Sequence, residues 1–365
     1  MLYSYIAPAA PATRRPGKGN EPDFRPEIGF TPYWYRKNLG IDFGEKWHKD
    51  LAYRKKTILK MRHLINRKFP AYSIGYLEDE PDLLTGVFGA CTVAGIYGIP
   101  IVFSDHNWPT TVHEYLSKEK IKDLKFPDLD ENEFFQDLMR QLDWIENSEG
   151  RIIGFINWQG MINNAQRLMG NQIFTEMFMQ PDLVMHLMDC ICTTMIDAAK
   201  RVCSRQEDSG VKYDFFTISN CLVNMISPEQ YREFILPFDV RIAEAFEMIG
   251  IHNCAWNADP YLEEYTKVPV VKYMDMGEDS DLVKAKRLFP DTRRAIMYTP
   301  MDFANRNINQ IKKDMERIAA LYAPCDIVVA DLEDVEDEKI HKFLDICDTI
   351  NQNEVWKANN TINYQ

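Results

Sequence analysis

A histidine and a cysteine two residues apart, His252 and Cys254, close an apolar run in the segment IGIHNCAWNADPYLEEY (249–265). In an extended strand side chains alternate faces, so these two would point to one side and Asn253 to the other. Imidazole nitrogen and thiolate sulfur both suit zinc, and a catalytic zinc needs three protein ligands with one position open. A third donor must come from a neighbouring strand end, where Asp331, Glu333 and Cys221 are the candidates. On spacing alone the pair reads more simply as a hydrogen-bonded pocket histidine beside a small buried cysteine.

Other groups offer chemistry of a different kind. Asp105 and His106 are adjacent and read either as an acid/base or substrate-anchoring pair or as a turn leading into Asn107-Trp108-Pro109. Tyr33, Trp34, Trp108, Trp158 and Trp256 fall near loops or strand ends, which suits a flat or methylated organic substrate, although any one of them taken alone reads as packing. The acidic run DLEDVEDE (331–338) is mostly a solvated helix start, and only its first members stand beside a strand end. Cys190 and Cys192 lie in a helical pattern, where positions i and i+2 do not face each other, so they fill core. No Gly-x-Ser-x-Gly elbow marks a nucleophilic serine.

The elements that must position these groups alternate along the chain. β-rich runs occur at 71–77, 98–103, 151–156, 213–218, 250–256, 268–274, 294–299 and 326–332, with helical apolar spacing between most of them. Eight strands separated by helices predict a (β/α)8 barrel, whose reactive groups gather at the C-terminal strand ends. GIPIVF (98–103) is the weakest of the eight and could be an excursion above the barrel. Ser227-Pro228-Glu229-Gln230 reads as a capped helix start, with Pro237 breaking or kinking that helix. Neither Gly-x-Gly-x-x-Gly nor a Walker-type loop occurs, which argues against nucleotide chemistry. The expected organisation is a flexible arm (1–23), one barrel domain (24–352) and a C-terminal tail (353–365). The arm could dock on the partner of a homodimer.

Composition narrows the partners. Apolar residues make up 45% of the 365, enough for a large core. Lys and Arg number 42 against 55 Asp and Glu, and the net charge of -13 disfavours nucleic acid and anionic membrane. The first twenty residues lack the pattern of a signal peptide, and the eight scattered cysteines lack disulfide spacing, so a cytoplasmic location and a small-molecule substrate are expected.

Several segments together resemble the uroporphyrinogen decarboxylase superfamily. FTPYWYRKNLG resembles its early Thr-Pro-x-Trp segment, RIIGFINWQGMINNAQRLMGNQIFTEMFMQPDLVMHLM its Gly-Phe and Pro-x-x-Val block, and ISNCLVNMISPEQYREFILPF its Leu-Ser-Pro-Glu segment. IHNCAWNADPYLEEY is similar to the His-x-Cys-Gly stretch of its corrinoid-dependent methyltransferases. The resemblance implies a (β/α)8 barrel and one of two activities, cofactor-free porphyrinogen decarboxylation or zinc-dependent methyl transfer.

The decarboxylase pattern is broken. Its second arginine falls among Gly40 and Ile41, its late His-Gly is replaced by Ala330-Asp331-Leu332-Glu333, and its tyrosine has no counterpart among Ala165, Gln166 and Arg167. Asp105 alone resembles the pyrrole-binding aspartate. For the methyltransferases, His252 and Cys254 match two zinc ligands, while the third, a cysteine after the last strand, is absent. Either Asp331 or Glu333 replaces it, or Cys221 does, or zinc is lost. The resemblance further implies a corrinoid, on a separate protein because the chain has no Asp-x-His-x-x-Gly motif. Asp105, His106 and Tyr298 are then the expected catalytic or orienting residues, with Trp34, Arg36, Trp158, Asn220 and Trp256 against the substrate. The alternatives are a cofactor-free decarboxylase working through Asp105 and a barrel that binds a small molecule without catalysis.

Overall fold

The computed structural model describes residues 3–6, 17, 21–70, 82–213 and 215–352. The chain folds as a (β/α)8 barrel. Strands β1 (Tyr3–Ile6), β2 (Phe24–Phe30), β5 (Phe215–Ser219), β6 (Met248–His252), β7 (Val271–Gly277), β8 (Arg293–Met297) and β9 (Cys325–Leu332) form one parallel sheet in the order β1-β2-β9-β8-β7-β6-β5. The expected strand at 71–77, with the strand-end candidates Glu78 and Asp79, lies outside the described residues. β1 lies within the stretch expected to be an arm and pairs alongside β2.

Two expectations need correction. GIPIVF is no stave: Ile101–Val102 (β3) pairs antiparallel with Thr110–Thr111 (β4) in a separate two-stranded ribbon. RIIGFI (151–156) has no assigned strand, and side chains serve much of its backbone instead. Ile152 N–H donates to Ser209 Oγ (2.9 Å), Gly154 N–H to Tyr213 OH (3.3 Å) and Phe155 N–H to Thr85 Oγ1 (3.1 Å). The buried Gln206 amide donates to the carbonyls of Ile152 (3.2 Å) and Gly154 (2.8 Å). Buried backbone groups need partners, and here side chains provide them.

Period-two alternation divides the core. Phe215, Tyr273, Ala295, Val328 and Ala330 form a cluster inside the ring, whereas Phe216, Ile218, Ile249 and Ile251 belong to the larger layer between sheet and helices. Gly250 lies on the inner face, where a Cβ would come within 2.7 Å of Phe215 and 3.3 Å of Tyr273. The helix start at Ser227 forms the expected reciprocal cap with Gln230 (3.2 and 2.9 Å). A wide π-type turn over Tyr231–Ile235 then precedes the helix Leu236–Ala245, and it accommodates Pro237, which has no N–H to give.

The loop after 151–158 touches the end of β5 so closely that a Cβ on Gly160 would collide with the Ser219 carbonyl. Its backbone is ordinary (φ -118°), so the constraint is contact alone. Gly160→Ala should cost about 1–3 kcal/mol, seen as a lower urea midpoint. An unchanged midpoint would mean that the two loops part freely.

Candidate metal centre

The pairing of β5 with β6 sets Ser219 opposite His252. A cysteine stands two residues past each strand end, in a turn, and Cys221, His252 and Cys254 come together with donor atoms all within 4.8 Å of one another. Donors around a tetrahedral zinc with bonds of about 2.0–2.3 Å are separated by roughly 3.5–3.8 Å, so this set fits such an ion. Among the described residues it is the group able to hold a metal. Asp331 and Glu333 do not join it, which corrects the expected third ligand: both are exposed, and Asp331, next to last in β9, lies in the left-handed region (φ 58°). The Asp331 charge is nevertheless felt at Cys254.

Each donor has its own support. His252 is 4% exposed, and its Nδ1 lies 2.7 Å from Asp275 Oδ2, which directs Nε2 toward Cys254 Sγ at 3.1 Å. Asp275 is itself held by the Asn253 N–H (2.8 Å) and Tyr273 OH (3.1 Å). A carboxylate behind a histidine fixes the ring orientation and raises its basicity as a ligand. Cys254 adopts φ 54°, a conformation rarely taken by side-chain-bearing residues.

Electrostatics divides the two sulfurs. A hydrogen bond from Cys254, opposed by burial and reinforced by the His252 charge, holds the Cys221 thiol well below its ordinary value. The same bond, together with burial, pushes Cys254 well up. Burial works against an imidazolium, but Asp275 and Cys221 outweigh it and push His252 up to about 10. The surroundings thus favour a proton on His252 and its loss from Cys221. A dication would replace the protons that hold these donors together.

The remaining candidates are scattered. On the rim, Arg36 Nη1 meets Asp105 Oδ2 at 2.6 Å and His106 Nδ1 contacts the other carboxylate oxygen, with Arg36 and His106 exposed and Asp105 half-buried. Hydrogen bonding from His106, opposed by burial and aided by the Arg36 charge, lowers the Asp105 pKa. Tyr298 is buried, its hydroxyl donating to Asp314 (2.7 Å) and accepting from Arg306 (3.2 Å). Trp34 is buried and stacks on Phe30 at 3.9 Å. Trp158 is buried, with its carbonyl taken by Asn164 (2.9 Å). Trp256 is half-buried and edge-on to Tyr261. Asn220 is buried: its N–H donates to the His252 carbonyl (2.7 Å) and its side chain turns to Asp239 (3.3 Å).

Asp275, on β7, orients His252. Asn163 and Gln159, beside Cys221, were not singled out, and the only signal for them is the amide-rich run INWQGMINNAQ.

A sequence model of the family described as uroporphyrinogen decarboxylase (URO-D) matches residues 78–316. The fold is similar to that of a methyltransferase from Methanosarcina mazei, with a TM-score of 0.60 over 87% of this chain and 90% of that one. The two sequences are 13% identical, so the likeness concerns the fold. No curated protein matches the chain in sequence. Among the described residues, no helix is long and apolar enough to cross a membrane.

Proposed function

The chain belongs to the uroporphyrinogen decarboxylase family, and from that premise we propose that it is a methyltransferase whose zinc is held by Cys221, His252 and Cys254. It moves a methyl group between a small methylated compound or thiol and a corrinoid carried on a separate protein. The observation that carries this reading is the convergence of two sulfurs and one imidazole at the ends of adjacent strands.

The family includes decarboxylases as well as methyltransferases, and the donor set favours the second. Two thiolates and a neutral imidazole balance the charge of a zinc ion and leave a fourth position for substrate. The chemistry supplied by a bound zinc is Lewis acidity, which favours the thiolate of a substrate thiol or polarises the heteroatom that releases a methyl group. The protein's own part is orientation. Asp275 keeps the His252 ring turned so that Nε2 faces the sulfurs, and Tyr265 OH steadies that arrangement through Asn253 Oδ1 at 2.7 Å. Asp105, by contrast, is spent on Arg36 and His106 at the rim.

Protein purified from zinc-supplemented cells should contain stoichiometric zinc and lose it on Cys254→Ala. With a purified corrinoid protein and a panel of methyl donors, only the zinc-loaded enzyme should methylate the corrinoid, read by its absorbance. Zinc absent from the wild type, or equal methyl transfer by the variant, would sink the reading.

A further inference from the structure

The reading of Cys221, His252 and Cys254 as a metal centre underlies this inference, which concerns what holds Cys221 in place. His252 is the last residue of a strand paired on both sides. Cys221 lies beyond the last paired residue of β5, in a turn that leads into the short 3-10 segment Val223–Met225. A ligand on a turn needs an anchor outside its own segment if its sulfur is to stay on target.

Asn163, on the helix Met161–Met169, supplies that anchor. Its Oδ1 accepts from the Leu222 N–H at 3.2 Å, the backbone group immediately after Cys221. Its Nδ2 donates to Gln159 Oε1 at 2.7 Å. Gln159 in turn donates through Nε2 (2.9 Å) and its backbone N–H (3.1 Å) to Asn157 Oδ1. All three amides are buried, and Gln159 holds φ 63°, a conformation rarely taken by a residue with a side chain. With one Nδ2 proton given to Gln159, the Asn163 carboxamide can face only one way, its oxygen toward Leu222.

We propose that Asn163 is a positioning residue for Cys221, the end of an amide chain Asn157–Gln159–Asn163 that holds the Leu222 N–H and so aims the neighbouring sulfur at the metal. The chain is uncharged, so it orients the thiolate without altering the charge of the centre. A competing account makes Asn163 a cap of the turn and nothing more. In that case its loss lowers stability and leaves the metal environment alone.

The test loads full-length wild type, Asn163→Ala and Gln159→Met with Co(II) in competition with a chelator, recording the thiolate-to-cobalt charge-transfer band. Circular dichroism checks that each variant is folded. Asn163→Ala should weaken cobalt binding roughly 10- to 100-fold and lower the band intensity per bound cobalt. Gln159→Met touches neither sulfur nor metal but frees the Asn163 amide to turn, and a smaller loss in the same direction is expected. Wild-type affinity and spectrum in folded Asn163→Ala overturn the proposal. Should that variant not fold, unchanged binding by Gln159→Met overturns it. A wild type that takes up no cobalt fails the metal-centre reading itself, and the proposal with it.

Discussion

Cys221→Ala should empty the metal centre, whereas Asp331→Ala and Glu333→Ala should leave it filled. The donor atoms of Cys221, His252 and Cys254 lie together, and neither carboxylate joins them. Removing one of three protein donors should cost more than the roughly 10- to 100-fold seen when a ligand merely loses its hydrogen-bond partner. Zinc content after dialysis against a weak chelator separates the variants. Metal retained by Cys221→Ala and lost from Asp331→Ala would place the third ligand on β9 instead of beside β5. The substitution should be mild for the fold, because the Cys221 side chain is only half-buried.

The largest loss of stability is expected at the other end of the barrel. Asp326 is 1% exposed and takes both Nε (2.8 Å) and Nη2 (2.7 Å) of Arg25, while Arg293 Nε reaches the same carboxylate at 3.1 Å. Asp326→Ala removes this carboxylate from both arginines, and the contact of Arg25 with Glu27 is longer, at 3.6 Å. Breaking a buried ion pair from one side costs about 3–5 kcal/mol, which a urea titration would resolve. A loss below about 1 kcal/mol would mean that water reaches these arginines.

The pH dependence has a definite sign. Burial raises the Asp326 pKa, but the two arginines outweigh it and hold the carboxyl below its ordinary value. A depressed folded-state pKa adds stability above the unfolded value, about 4, and that stability disappears as pH falls through the folded value. The gap between wild type and Asp326→Asn should therefore be constant near neutrality and narrow in acid. A gap that widened in acid would contradict the assignment.

The strands that read most clearly from sequence were those with continuous apolar faces. FFTIS, MIGIH and CDIVVADL pack against helices outside the ring and against each other inside it, so periodicity alone marks them. FRPEIGF (24–30) escaped because Arg25, Pro26 and Glu27 look unlike a barrel strand. Arg25 is tolerated because Asp326, held in turn by Arg293, meets it from a distant part of the chain, with Glu27 beside it, and such pairing leaves no local trace. GIPIVF misled for the opposite reason: its apolar residues serve a ribbon outside the main sheet.

The candidate metal site was half legible. His252 and Cys254 were singled out by their spacing, but strand alternation is not what joins them: β6 ends at His252, and Cys254 follows in a turn with φ 54°. Cys221 was named beside two carboxylates, and the choice fell on the position where a resembling family keeps its cysteine. What the sequence lacked was strand register: once Ser219 faces His252, the turns that carry Cys221 and Cys254 leave the sheet side by side. Asn163 and Gln159 could not be ranked at all, since amides are ordinary in helix starts and only their contacts distinguish them.

That side-by-side exit makes the centre eccentric. Its donors stand at the ends of two neighbouring staves, so under the proposed reading a molecule bound at the sulfurs meets one wall of the ring and not its axis.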